Sequence, residues 1–308
     1  MSEFIQTVMG KISTAEVGAT DIHDHLIGSP PSVYASQDAD LVLHDEAAAL
    51  EELHRFKDAG GNTLVEFTTI DYGRDPHAIR RLAKKSGVHI VAVTGFNKGK
   101  FSNLIIGDRS VEDVSDQILR DFQKSGMDGS GVIPGVVKAA TSLNGMTRAE
   151  EISLLTAARV HRETGVPVMT HTEAGTFGSE QLDILTHHGV LPERITLCHM
   201  DRHLDFDYHV SLAKRGCFLS FDQIGKTKYA TDQARADMLI RLVKAGFAEK
   251  LLLGGDYARL SYWKSHGGNL GPAFLLTNFV PLLLQSGLPQ TEVDHMIMNN
   301  PRKALALQ

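Results

Sequence analysis

Eight short apolar, β-rich runs alternate with helical patterns along this chain, and that alternation restricts the fold more than any other feature. The runs are "DIHDHL" (21–26), "NTLVEFTT" (62–69), "HIVAVTGF" (89–96), "GVVKAA" (135–140), "PVMTHT" (167–172), "ITLCHM" (195–200), "FLSFD" (218–222) and "LLLGGDYA" (251–258). Between them lie amphipathic helix patterns. "EAAALEELHRFKDAGG" ends at Gly60 and Gly61, "TRAEEISLLTAARVHRETG" opens with a capping box from Thr147 to Glu150 and stops at Gly165, and "TDQARADMLIRLVKAG" closes at Gly246. Strand followed by helix, repeated, requires a parallel sheet with right-handed crossovers. An open doubly wound sheet is the rival, yet no G-x-G-x-x-G follows any run. Eight units in 308 residues predict an α/β protein, a (β/α)8 TIM barrel forming a single domain over 1–308.

The rest of the composition narrows the partners. A formal net charge of −6 offers no global attraction for nucleic acid or an anionic membrane, so any anion site is local. Cys198 and Cys217 are too few for a disulfide scaffold and too far apart for C-x-x-C chemistry. "MSEFIQTVMGK" carries no apolar signal-peptide segment, and "AFLLTNFVPLLL" is interrupted by Thr277, Asn278 and Pro281 and too short to span a bilayer. The expectation is a reduced, soluble, cytoplasmic protein.

In a barrel of this kind the active site is built at the C-terminal ends of the strands. The chain has 15 histidines, and four of them stand at those ends: His23 and His25 on the first run, His171 on the fifth, His199 on the sixth. Asp256 follows the eighth run, and Lys138 interrupts the fourth. A lone strand histidine is usually a hydrogen-bonded core residue. Burying four imidazoles and a carboxylate at one pole without a cation would be costly. His23 and His25, two residues apart, share one face of a strand. Lys138 has a bland alternative, a side chain reaching the rim or pairing with an acid. Buried, however, a lysine loses its proton readily and as a neutral amine can add carbon dioxide, giving an anionic ligand able to bridge two cations.

These residues resemble the phosphotriesterase-like branch of the amidohydrolase superfamily: H-x-H on strand one, lysine on strand four, "THT", "CHM" and "GGD" on strands five, six and eight, with "TTIDYGRDP", "TGVPVMTHT" and "NNPRKAL" as further similar wording. The resemblance implies a binuclear metal centre with two divalent cations. His23, His25 and Asp256 would hold the inner cation and His171 and His199 the outer one, with carboxylated Lys138 and a hydroxide bridging. Imidazole and carboxylate ligands suit Zn foremost, and Mn, Co or Fe less tightly. The chemistry implied is metal-assisted hydrolysis, with Asp256 as base and then acid.

The loops choose the substrate. Lys226, Lys228 and Tyr229 follow strand seven, and Arg259 and Tyr262 follow strand eight, where many barrels bind phosphate. The placement resembles the family's phosphorylated sugar lactonase subgroup, in which Lys228, Arg259 and Tyr262 would hold the phosphate. Past strand three, "TGFNKGK" supplies Asn97, Lys98 and Lys100 where lipophilic-lactone members carry a tyrosine. With 6% aromatics, a greasy leaving-group pocket is not expected. The expected activity is opening of a furanose-lactone phosphate; an amidase, carboxylesterase or phosphotriesterase acting on another anionic small molecule is the alternative. Nucleic acid and membrane are excluded as partners, and a homodimer is compatible with the resemblance. Cys198 is expected to pack behind the barrel, Asp24 to point away from the histidines, and Arg74 to pair locally with Asp75, itself the cap before Pro76.

Overall fold

The computed structural model describes residues 4–308. Strands β1 (Phe4–Thr7) and β2 (Gly10–Ser13) form an antiparallel hairpin that the periodicity did not announce. Eight parallel strands follow: β3 (Ala19–Asp24), β4 (Gly61–Glu66), β5 (His89–Gly95), β6 (Val136–Thr141), β7 (Val168–Thr172), β8 (Ile195–Cys198), β9 (Phe218–Phe221) and β10 (Leu251–Leu253). They pair in chain order from β3 to β10, and the chain is a TIM barrel. The seam between β10 and β3 is closed by loop backbone. The amides of Gly255 and Asp256 donate to the carbonyl of His23 at 3.2 and 2.7 Å.

Six of the eight strands, all but β6 and β7, stop short of the C-terminal ends of the apolar runs. His25, His199 and Asp256 all lie beyond the last ladder residue. His199 and Asp256 have φ of 63° and 50°. A non-glycine residue in that left-handed region costs on the order of 1–3 kcal/mol and turns the chain off the barrel where the chemistry sits.

One buried cluster takes residues from every barrel strand, among them Ile22, Val65, Val91, Val136, Met169, Cys198, Phe218 and Leu252. It fills the barrel interior. Cys198 is therefore inside the barrel and not behind it, because it alternates with Leu197, which joins the outer, helix-facing cluster. The same alternation on β6 puts Val137 and Ala139 outward and leaves Lys138 pointing in.

Helices form where the pattern placed them. Glu46–Asp58 is capped by Asp45, and Asp232–Lys244 by Thr231. Arg148–Thr164 has its capping box, Thr147 Oγ1 accepting from the Glu150 amide and Glu150 accepting from the Thr147 amide, and it ends at Gly165 with φ 76°. Its buried Leu154 and Val160 each contribute about 1.5–3 kcal/mol by leaving water. Asp75 caps Pro76–Ser86 as expected. Arg74 does not pair with it. Its guanidinium reaches Asp121 at 2.7 Å and Asp128 at 2.9 Å, tying the loop after β4 to the segment before β6. Among the described residues no helix is long and apolar enough to cross a membrane.

Candidate metal centre and substrate cavity

The six sequence-selected residues converge at the C-terminal mouth of the barrel, on a cavity of about 270 Å³ that all of them line. Ligand atoms of His23, His25 and Asp256 lie within 4.8 Å of one another. Nε2 of His23 is 3.6 Å and Nε2 of His25 is 3.4 Å from Asp256 Oδ1. On the other side, Nδ1 of His171 faces Nε2 of His199 at 2.7 Å.

What distinguishes these imidazoles from packed core histidines is how the second nitrogen of each is held. Asp222 Oδ2 accepts from Nδ1 of His23 at 3.0 Å, and Oδ1 accepts from Nδ1 of His199 at 2.6 Å. Nδ1 of His25 lies 2.8 Å from Thr68 Oγ1, which donates to Glu66 at 2.6 Å. Nε2 of His171 is 3.0 Å from Glu173. Four rings thus have one nitrogen tied outside and the other turned into the cavity, the arrangement that fixes a ligand's tautomer. Burial pushes the His23 imidazole down to about 3 and that of His171 well below its usual range. Both are neutral at physiological pH, as a metal ligand must be. Burial would raise the carboxyls of Asp222 and Asp256. The imidazoles around Asp222, and Lys226 with the imidazoles around Asp256, outweigh it and keep both well below the ordinary carboxylate range. The donor set of imidazoles and one carboxylate fits two divalent cations.

Lys138 is 2% exposed, and its Nζ donates to the carbonyl of Phe67 at 3.2 Å. Burial lowers its pKa from 10.5, favouring the neutral amine.

The substrate candidates separate into two groups. Asn97 and Lys98 line the cavity. Lys226, Lys228, Arg259 and Tyr262 are not among its lining residues. Lys226 is 5% exposed, and its ammonium sits 2.9 Å from Asp256 Oδ2 and 3.2 Å from Gln223 Oε1. Lys228 lies over the rings of Tyr229 and Tyr262, 4.8 and 5.7 Å from their centroids, so this lysine and Tyr262 are brought together. Arg259 pairs instead with Asp38 at 2.9 Å and Asp40 at 3.1 Å.

Several residues of the site were not singled out from the sequence. Asp222 closes an apolar run at the same pole as Asp256, a signal of the same kind. Gln223, whose amide donates to Asp256 Oδ2 at 2.6 Å, and the Glu173–Arg202 pair carry no such signal. Asp24 does turn from the imidazoles. Its Oδ1 accepts from the amides of His25 and Tyr257, at 2.7 and 2.8 Å, and so joins the loops after β3 and β10. One wall is aromatic despite the low aromatic content: Tyr72 packs edge-on against Phe101 with centroids 5.1 Å apart, and both line the cavity with Leu41. His187 and His188 are exposed at a helix end, away from the site.

The sequence profile of the phosphotriesterase family matches residues 3–305. The phosphotriesterase homology protein of Escherichia coli (strain K12) is 32% identical over 285 residues, covering 92% of this chain and 96% of that protein. A phospho-furanose lactonase of Mycoplasmopsis agalactiae is 30% identical over 326 residues, covering 99% and 92%. The crystal structure of a lactonase from Listeria monocytogenes superposes with a TM-score of 0.93 at 32% identity, covering 99% of each chain.

Proposed function

This chain belongs to the phosphotriesterase family, and from that membership we propose that it is a two-metal lactonase that opens a furanose-lactone phosphate. It is a metal-dependent hydrolase. The observation that carries the reading is the set of four imidazoles, each with one nitrogen tied outside and one turned inward, around Asp256 and a buried lysine.

In this reading His23, His25 and Asp256 would hold one cation and His171 and His199 the other, and Lys138, once carboxylated by carbon dioxide, would supply a further anionic ligand. Zinc suits the donor set best, and manganese, cobalt or iron also fit. Such a pair, when bound, lowers the pKa of water and polarises the lactone carbonyl. Asp256 takes the proton of the attacking water and returns it to the ring oxygen as the ring opens. Gln223 and Lys226 hold the outer oxygen of Asp256, leaving Oδ1 on the side of His23 and His25.

The substrate assignment is supported by the pairing of Lys228 with Tyr262, by Arg259 nearby in sequence, and by a relative named as a phospho-furanose lactonase. A cavity of about 270 Å³ suits a five-membered ring better than a long acyl chain. Asn97 and Lys98, at the cavity wall, face the sugar. For Arg259 to read the phosphoryl group it exchanges Asp38 and Asp40 for phosphoryl oxygens, a bidentate match to its fork. Both cysteines are free and buried, which suits a reducing cytoplasm. A homodimer is part of the proposal, and light scattering tests it.

The experiment is metal analysis of the purified protein with turnover of a furanose-lactone phosphate and of its dephosphorylated analogue. Close to two cations per chain and a strong preference for the phosphate, both lost in Lys138→Ala, are expected. Equal turnover of the two lactones would overturn the substrate assignment, and an active protein without bound metal would overturn the centre.

A further inference from the structure

One carboxylate of the site does more than hold an imidazole nitrogen. Glu173 is the first residue after β7, two places beyond His171, and only 15% of its side chain is exposed. Its Oε2 lies 3.0 Å from Nε2 of His171 and also accepts from the ammonium of Lys98. Its Oε1 accepts from the guanidinium of Arg202 at 2.7 Å. Three loops, after β5, β7 and β8, therefore meet on this carboxylate. The next residue, Ala174, has φ 53°, a left-handed conformation that an alanine adopts only when its surroundings enforce it.

We propose that Glu173 is a positioning residue for the outer cation: it accepts from Nε2 of His171 and so leaves Nδ1 free to face the outer half of the site. Nδ1 is the nitrogen that faces His199 across the outer half of the site. Without the carboxylate, the imidazole can place its proton on Nδ1 or rotate, and in either case the inward lone pair is lost. Lys98 and Arg202 complete the device. They approach the carboxylate from two other loops and fix its oxygens, and stacking of Arg202 on Tyr229 at 4.5 Å fixes the guanidinium in turn.

The geometry makes the effect one-sided. Asp222 holds His23 and His199, one imidazole from each half of the site, whereas Glu173 holds only His171. Loss of Glu173 weakens the outer cation and spares the inner one, which a general structural role would not do.

This inference rests on the two-cation reading, and its test separates the two. The protein saturated with Zn²⁺ is titrated with a chelator while bound metal is counted, for the wild type, Glu173→Ala and Glu173→Gln, with circular dichroism confirming the fold of each. The wild type holds two cations. Glu173→Ala is expected to give up one of them at roughly 10–100-fold lower chelator concentration while the other keeps its wild-type affinity, the range known for lost partners of metal-bound histidines. Glu173→Gln, whose side-chain carbonyl still accepts from Nε2–H, recovers most of the difference. Two cations held as tightly in Glu173→Ala as in the wild type overturn the inference alone. So does equal weakening of both, or a glutamine variant no better than alanine. A wild type that holds fewer than two overturns the two-cation reading and this inference with it.

Discussion

Asp222 and His199 meet twice: the imidazole Nδ1 donates to Oδ1 at 2.6 Å, and the His199 amide donates to the same oxygen at 3.0 Å. One buried carboxylate thus fixes both the ring and the strained backbone of a candidate ligand, and its other oxygen holds His23. Asparagine has nearly the same shape but only one accepting oxygen, so its amide group opposes one of the two ring N–H donors. Asp222→Asn should lower metal affinity or kcat/KM by about 10–100-fold with little change in fold. Metal analysis and steady-state kinetics check this, and an unchanged variant would show that the imidazoles need no help from Asp222.

The contrast between Asp222 and Asp256 explains how much of the site could be read from the sequence. Strand periodicity placed eight strands and three of the helices between them, because apolar burial fixes which face of each element looks inward. It also singled out Lys138, since a charge inside an apolar run has no cheap place to go. The residues past the last ladder bond escape that logic. His199 and Asp256 sit in left-handed turns, where alternation ends and the side-chain direction is set by the turn. Gln223 and Glu173 are recognised only by what they touch, whereas Asp222 ends an apolar run and so carries a signal in the sequence. The hairpin Phe4–Thr7/Gly10–Ser13 was hidden for another reason: its four-residue strands are too short for a period to emerge. Arg259 shows the limit on the substrate side, because its partners Asp38 and Asp40 lie more than 200 residues earlier in the chain.

Those acids give the phosphate assignment a test with two signs. Arg259→Ala should raise KM for the phosphorylated lactone by at least 10-fold, since a hydrogen bond to a charged group contributes about 1.5–3 kcal/mol. The dephosphorylated lactone should be little affected. Asp38→Asn should act in the opposite sense and lower KM for the phosphate several-fold, by releasing the guanidinium from a partner 2.9 Å away. Asp38 is the better choice, because Asp40 also accepts from the amide and hydroxyl of Ser261 at 2.7 Å and holds the loop. Steady-state kinetics on both lactones check the pair. Equal effects on the two substrates would remove Arg259 from phosphate recognition.

Cys217 sets a pH dependence of stability remote from the site. Burial pushes its thiol up from 9.0 to about 12. Between those values the folded protein keeps a proton that the unfolded chain releases, so stability falls as pH rises through the window. Cys217→Ala removes this contribution. Its urea midpoint should therefore fall less steeply than that of the wild type from pH 9 upward, even though the lost sulfur costs some stability at pH 7. Parallel slopes for the two proteins would show that the thiol does not titrate differently on folding. In the native protein at pH 8, neither Cys217 nor Cys198 should react quickly with a thiol reagent, since both are fully buried.

Gly95 links the fold to Lys138. It pairs with Lys138 across β5 and β6, its φ is +99°, and a Cβ built on it would lie 2.1 Å from the Lys138 carbonyl oxygen. That obstacle is backbone, so no rotamer change relieves it, and the strand carrying Lys138 must move. Gly60 is the matched control, with φ +94° and no atom within 4 Å of its virtual Cβ. Gly60→Ala should cost only the left-handed strain, about 1–2 kcal/mol, and leave metal content untouched. Gly95→Ala should cost clearly more and lower the bound metal per chain, because displacing Lys138 opens the gap between the two half-sites. Thermal melts and metal analysis of the two variants make the comparison. Equal destabilisation with full metal content in both would mean that the strand absorbs the methyl group without shifting Lys138.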